Sequence, residues 1–123
     1  MHKFWRNLDT RISKLPPHPK NPRQKKKWFH GVVDLAAWIQ HSIVKIHPFP
    51  QGNGRTSRIM TNLILCRFGL RQSPVRFEGE DKSRYLDALC QIDKYGDYEP
   101  LKRLIAQGIS EVYEREKRIR SQI

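Results

Sequence analysis

His47-Pro48-Phe49-Pro50-Gln51-Gly52-Asn53-Gly54-Arg55-Thr56-Ser57-Arg58 is the stretch that decides how the rest of this 123-residue chain is read. Apolar-periodic sequence leads into it and out of it, while prolines, glycines and an asparagine fill it. It therefore reads as a tight loop between two helices. Gly52 and Gly54 lack a Cβ, so the backbone can turn sharply there and approach a ligand closely. Asn53 tolerates unusual dihedrals and adds a side-chain amide. Backbone N–H groups that open a helix have no intrahelical partner and carry partial positive charge, which makes an anion site. Arg55 and Arg58 are three apart and share one helix face. Two guanidinium forks beside such a site suit a polyphosphate, and histidine, here His47 at the rim, is the commonest general base. Taken singly, each feature has a plainer reading: an ordinary loop, a helix-capping histidine, a solvated arginine face. Their joint spacing favours a site that holds a nucleotide and deprotonates an attacking hydroxyl. The chain has neither a Gly-rich loop ending in Lys-Ser/Thr nor a G-x-G-x-x-G after a strand, so the common phosphate-binding alternatives are absent.

The stretch resembles the signature of the Fic (Fido) family, H-x-F-x-[D/E]-G-N-G-R-x-x-R, which His47, Phe49, Gly52, Asn53, Gly54, Arg55 and Arg58 match. The resemblance implies transfer of AMP from ATP to a Ser, Thr or Tyr hydroxyl of a protein, with Mg²⁺ bridging the phosphates. It implies His47 as base and Phe49 as a core anchor. Gly52, Asn53 and Gly54 would form the anion hole, and Arg55 and Arg58 would hold the outer phosphates. Gln51 departs from the pattern: the family has an acidic Mg²⁺ ligand there, and an amide oxygen is a weaker ligand for a hard cation. The family also places a β-hairpin flap upstream of the motif. Residues Arg11 to Arg23 occupy that position without strand alternation, which points to a reduced flap. Some members carry an inhibitory helix with Ser/Thr-x-x-x-Glu-Gly/Asn, whose glutamate pairs with the second motif arginine. Ser110 and Glu114 fit its first part, Arg115 does not fit its end, and the plainer alternative is a surface glutamate.

Length bounds the chain to one domain with one modest core. Apolar residues are 37% of the sequence, which concentrates that core in a few helices. The formal net charge of +12 favours a negatively charged partner, whether nucleotide, acidic protein or nucleic acid. Cys66 and Cys90 lie far apart within apolar-periodic runs and read as core thiols. Residues 1 to 10 lack a continuous apolar stretch and no run is long enough to span a bilayer, so the expectation is a soluble cytoplasmic protein without a membrane partner.

Taken in order, Phe4, Trp5, Leu8, Ile12 and Leu15 predict a short amphipathic helix. Pro16, Pro17, Pro19 and Pro22 enforce an extended loop. Lys25, Lys26 and Lys27 open the next element as a solvated first turn. Trp28 to Ile46 then predicts one long helix from about residue 24, with His30 and His41 as packing or surface groups. Beyond the loop, Ile59, Met60, Leu63, Ile64 and Phe68 define a helix closed by Gly69. Its apolar face predicts the central helix of the bundle. Leu70 to Glu80 reads as an irregular link. Tyr85 to Ile92 predicts another helix, ended by Gly96, and Asp97 is the expected cap of the last, with Glu99 and Pro100 in its first turn. Gly96 to Leu101 also resembles a stretch that follows the motif in Fic domains. From Glu114 onward the chain is almost wholly charged, which predicts a solvated extension or frayed end.

The expected fold is an all-α, Fic-type helical bundle with the active-site loop between two central helices. Residues 1–23 form an N-terminal segment, 24–109 the core and 110–123 a charged helix end. The expected function is AMP transfer onto a protein hydroxyl. The rivals are a catalytically weak Fic domain that binds nucleotide or a partner, supported by Gln51, and a basic nucleic-acid-binding protein. The latter leaves the glycines and histidine of the loop unexplained.

Overall fold

The computed structural model describes residues 2–15, 19–46, 53–70 and 80–122. Five α-helices occupy them: α1 His2–Ser13, α2 Pro22–Ile46, α3 Asn53–Arg67, α4 Glu80–Tyr95 and α5 Glu99–Ser121. No strand occurs among the described residues, so the all-α expectation holds. No helix among them is long and apolar enough to cross a membrane.

The hub is α2 rather than α3. Buried residues run almost all the way round it, as they must in a helix covered on several sides. One side, with Trp28, Val32, Val33 and Ala36, joins the main core with Leu65 of α3, Tyr85 and Ile92 of α4, and Leu101, Ile105 and Ile109 of α5. The other side, with Leu35, Ile39 and Ile43, meets Phe4 and Leu8 of α1 and Ile64 of α3. Phe4 also stacks on Trp38 at 5.3 Å between centroids, and the Arg11 guanidinium lies 4.4 Å from the same indole.

The apolar face expected on α3 lies on a different side. Ile59 and Leu63 are 60% and 63% exposed, whereas Ser57 and Thr61 are buried with Ile64 and Leu65. The Thr61 hydroxyl donates to the Ser57 carbonyl at 2.7 Å. A hydroxyl satisfied one turn back can sit in a helix interface like a small apolar group. Cys66 and Cys90 are free and exposed instead of buried, each beside a buried leucine but one position off its stripe.

Helix ends follow local chemistry. α2 begins two residues before the expected start. The Asn21 side chain accepts the Gln24 N–H, Gln24 accepts the Lys20 N–H, both at 2.9 Å, and Pro22 opens the first turn. α3 closes on Gly69, φ +81°, where the Leu70 N–H reaches the Leu65 carbonyl and the Gly69 N–H that of Cys66. That pair of bonds is a Schellman closure. Gly96, φ +64°, ends α4 with a bond from its N–H to the Ile92 carbonyl and a longer one, 3.4 Å, from the Asp97 N–H to the Gln91 carbonyl. Tyr98, not Asp97, is the N-cap position of α5, yet the Asp97 carboxylate still accepts the Glu99 N–H at 3.1 Å. α5 then stays helical to Ser121, so its charged end is solvated but not frayed.

Candidate functional site

α2 ends at Ile46 and α3 starts at Asn53, so the motif joins the C-terminal end of the hub helix to the N-terminal end of its main partner. His47, Phe49, Gln51 and Gly52 lie outside the described residues. Asn53 and Gly54 open α3, so their N–H groups are among those a helix leaves without an internal acceptor. The first turn of α3 holds no acidic residue, and the positive end of the helix dipole is therefore not offset there. Arg55 is exposed and Arg58 half-buried. Ser57, between them, is fully buried and fixes which way that turn faces. The expected i,i+3 relation of the two arginines is thus present on a turn whose rotation is set by packing. Chemically, this end can attract and grip an anion.

Ser110 and Glu114 are elsewhere. They line a cleft with Trp28, Phe29 and Leu70, beside the N-terminal part of α2 and the residues just past α3. From Arg58 to Arg67, the last residue of α3, the helix rises about 14 Å. Among the described residues no group of three or more His, Cys, Asp or Glu is placed to hold a metal.

Two contacts among the core elements had no sequence signal beyond residue type. The His41 Nε2, on buried α2 surface, lies 2.8 Å from an Asp93 carboxylate oxygen on α4. Its neighbour Gln40 donates to the Tyr85 hydroxyl at 3.2 Å. These polar links tie α2 to α4 and keep the main core in register behind the motif.

The sequence profile of the Fic/DOC family matches residues 3–65, α1 through nearly all of α3 and just over half of the chain. The chain belongs to the Fic/DOC family. Among curated proteins it is similar to the protein adenylyltransferase Fic of Aedes aegypti, 39% identical over 82 residues, which is 67% of this chain and 16% of that protein. The protein adenylyltransferase Fic of Nematostella vectensis is 39% identical over 104 residues, covering 76% of this chain and 24% of its own length. A Fido domain-containing protein of Dictyostelium discoideum is 43% identical over 61 residues, covering 50% and 41%. This Fic chain therefore matches less than half of the length of each of these relatives. No solved structure matches it. The family match begins earlier than the motif-based resemblance suggested and takes in α1, whose packing on α2 explains why it belongs to the same unit.

Proposed function

We propose that this Fic chain transfers AMP from ATP to a hydroxyl of a protein substrate. The observation that carries the reading is the acid-free start of α3, with Arg55 in its first turn and Arg58 in its second, after the stretch His47 to Gly52 in sequence. It is supported by similarity to proteins named adenylyltransferases. In this reading His47 takes the proton of the attacking hydroxyl. The oxygen bonds to the α-phosphorus of ATP, the bond to the bridging oxygen breaks, and pyrophosphate leaves with its electron pair. Gly52, Asn53 and Gly54 offer backbone N–H groups to the charge that develops, and Arg55 and Arg58 hold the outer phosphates. Mg²⁺ fits this donor set poorly. Gln51 brings a neutral oxygen and the first turn of α3 no carboxylate, so the ion would be held mainly by triphosphate oxygens and water. Exposed free Cys66 and Cys90 suit a reducing compartment, which supports the cytoplasm as the place of action.

The same Gln51 supports a second reading, a Fic domain that binds nucleotide with little turnover. One experiment separates the two: label transfer from α-labelled ATP to protein, for wild type, His47→Ala and Gln51→Glu, over a range of Mg²⁺. Transfer by wild type should fall about 100-fold or more in His47→Ala. Gln51→Glu should transfer faster and need less Mg²⁺. Bound ATP with no transfer by wild type, but transfer by Gln51→Glu, gives the second reading. No ATP binding by any of the three rejects both.

A further inference from the structure

We infer that the cleft between the N-terminal part of α2 and the C-terminal half of α5 docks an acidic, apolar-anchored segment of a protein partner. Its volume is about 630 Å³, enough for a few anchoring side chains. Trp28, Phe29 and Ile109 supply an apolar wall, and Tyr113, 41% exposed, stands at the mouth. Lys25 and Lys26 form one rim. Among the described residues neither ammonium has an ion-pair partner. Beyond Tyr113 a second hollow of about 580 Å³ continues along α5, between Gly69, Lys117 and Arg120. The two share Tyr113, so together they form an elongated groove with cations at both ends. An extended or helical peptide suits that shape better than a compact small molecule.

Charge decides which polymer fits. The chain carries a net +12, and the groove ends in Lys25 and Lys26 on one side and Lys117 and Arg120 on the other. Glu114 and Glu116 sit between them along α5. A nucleic acid bears a phosphate at every step and would be repelled in the middle of the groove. A peptide can place carboxylates at the two ends and a neutral or apolar side chain at the centre. The groove is also remote from the motif. From Lys26 to Ile46, α2 rises about 30 Å, so an occupant here leaves the nucleotide end open. The segment docked would hold a partner by one region while another reaches His47. It would serve equally a partner that is not modified, so the inference stands apart from the transfer reaction.

The test is selection of peptides from a random dodecapeptide display library on the whole chain, followed by affinity measurement of the winners by fluorescence anisotropy. Sequences combining Asp or Glu with Leu, Phe or Trp should be enriched and bind in the micromolar range. Lys25→Glu with Lys26→Glu should weaken them by about tenfold or more. Tyr113→Ser, at a side chain 41% exposed, should weaken them too, with helicity by circular dichroism unchanged. ATP binding should be the same in these variants as in wild type, and Arg55→Ala should bind the peptides normally. No enrichment overturns the inference, as do winners without acidic residues or winners that bind the double variant equally well. A single-stranded oligonucleotide that binds more tightly and is lost in the same variants would reassign the groove to nucleic acid. Concentration-dependent dimerisation abolished by Tyr113→Ser would reassign it to a second copy.

Discussion

At its N-terminal end α3 has Arg55 and Arg58, no acidic residue, and backbone donors left without partners inside the helix. At its C-terminal end the donors and acceptors are closed by the Gly69 turn, and Leu65 and Phe68 pack into the cores. One end carries two arginines and no acid, with Arg55 exposed; the other is closed by the Gly69 turn and packed into the cores. Substitutions at the two ends should therefore separate binding from stability, and the strongest tests are those in which a single helix gives both answers.

The largest effect belongs to the packed part. Leu65 is fully buried in the main core, and Leu65→Ala should cost about 2–5 kcal/mol by urea unfolding. Leu63, two positions earlier and 63% exposed, should cost no more than about 0.5 kcal/mol when cut to alanine. Equal costs would mean that another surface covers Leu63 in solution. Next comes the charged end. Arg55→Ala removes an exposed fork that packing does not need. It should lower ATP affinity by about tenfold or more, the loss of a charge-assisted contact of about 1.5–3 kcal/mol. The unfolding midpoint should stay where it is. An unchanged affinity by calorimetry would take Arg55 out of the site.

Gly69 sharpens the contrast from the other side. Its φ of +81° lies in the left-handed region, and a Cβ there would meet nothing within 4 Å. The cost of Gly69→Ala is therefore backbone strain alone, about 1–2 kcal/mol. ATP affinity should not change, and a loss of binding without a loss of stability would break the division between the two ends.

These contrasts also mark what could be read from sequence. The motif was legible because seven residue identities at fixed spacing carry it, and the family profile found the same region. Gly69 and Gly96 were legible as helix stops because few other residues adopt positive φ without strain. The orientation of α3 was not. Hydropathy counts Ile59 and Leu63 as core and Ser57 and Thr61 as surface, but a hydroxyl bonded to its own helix hides its polarity. Cys66 and Cys90 were misplaced for the same reason, since apolar type does not set which stripe a residue joins. The start of α2 was written in Asn21-Pro22 followed by Gln24, a capping pattern that hydrophobic periodicity alone misses. Ser110 and Glu114 fit only the first part of an inhibitory pattern, and that they line a cleft with Trp28 and Phe29 depends on how α5 crosses α2, which no short motif encodes.

The smallest expected effect concerns that crossing. The Lys102 ammonium, at the start of α5, bridges the Asp34 carboxylate of α2 and the Glu99 carboxylate of its own helix. Burial pushes Lys102 down, but its hydrogen bonds to Asp34 and Glu99 outweigh this and leave it above its ordinary 10.5. The hydrogen bond from Lys102, with its charge, holds Glu99 below its ordinary 4.5. A raised lysine contributes stability that is complete below 10.5 and lost as pH climbs through the folded value. A lowered carboxyl contributes stability present above 4.5 and lost as pH falls through its folded value. The bridge should therefore act between these limits and fade outside them. The measurement is Tm for wild type and Lys102→Gln across that range. The gap should be widest near neutral pH, amount to no more than a few degrees because both carboxylates face solvent, and shrink with added salt. A gap that stays constant from acid to alkali would mean that Lys102 acts through the packing of its stem and not through its charge. The anchor of α5 on α2 would then be apolar, resting on Leu101 and Ile105.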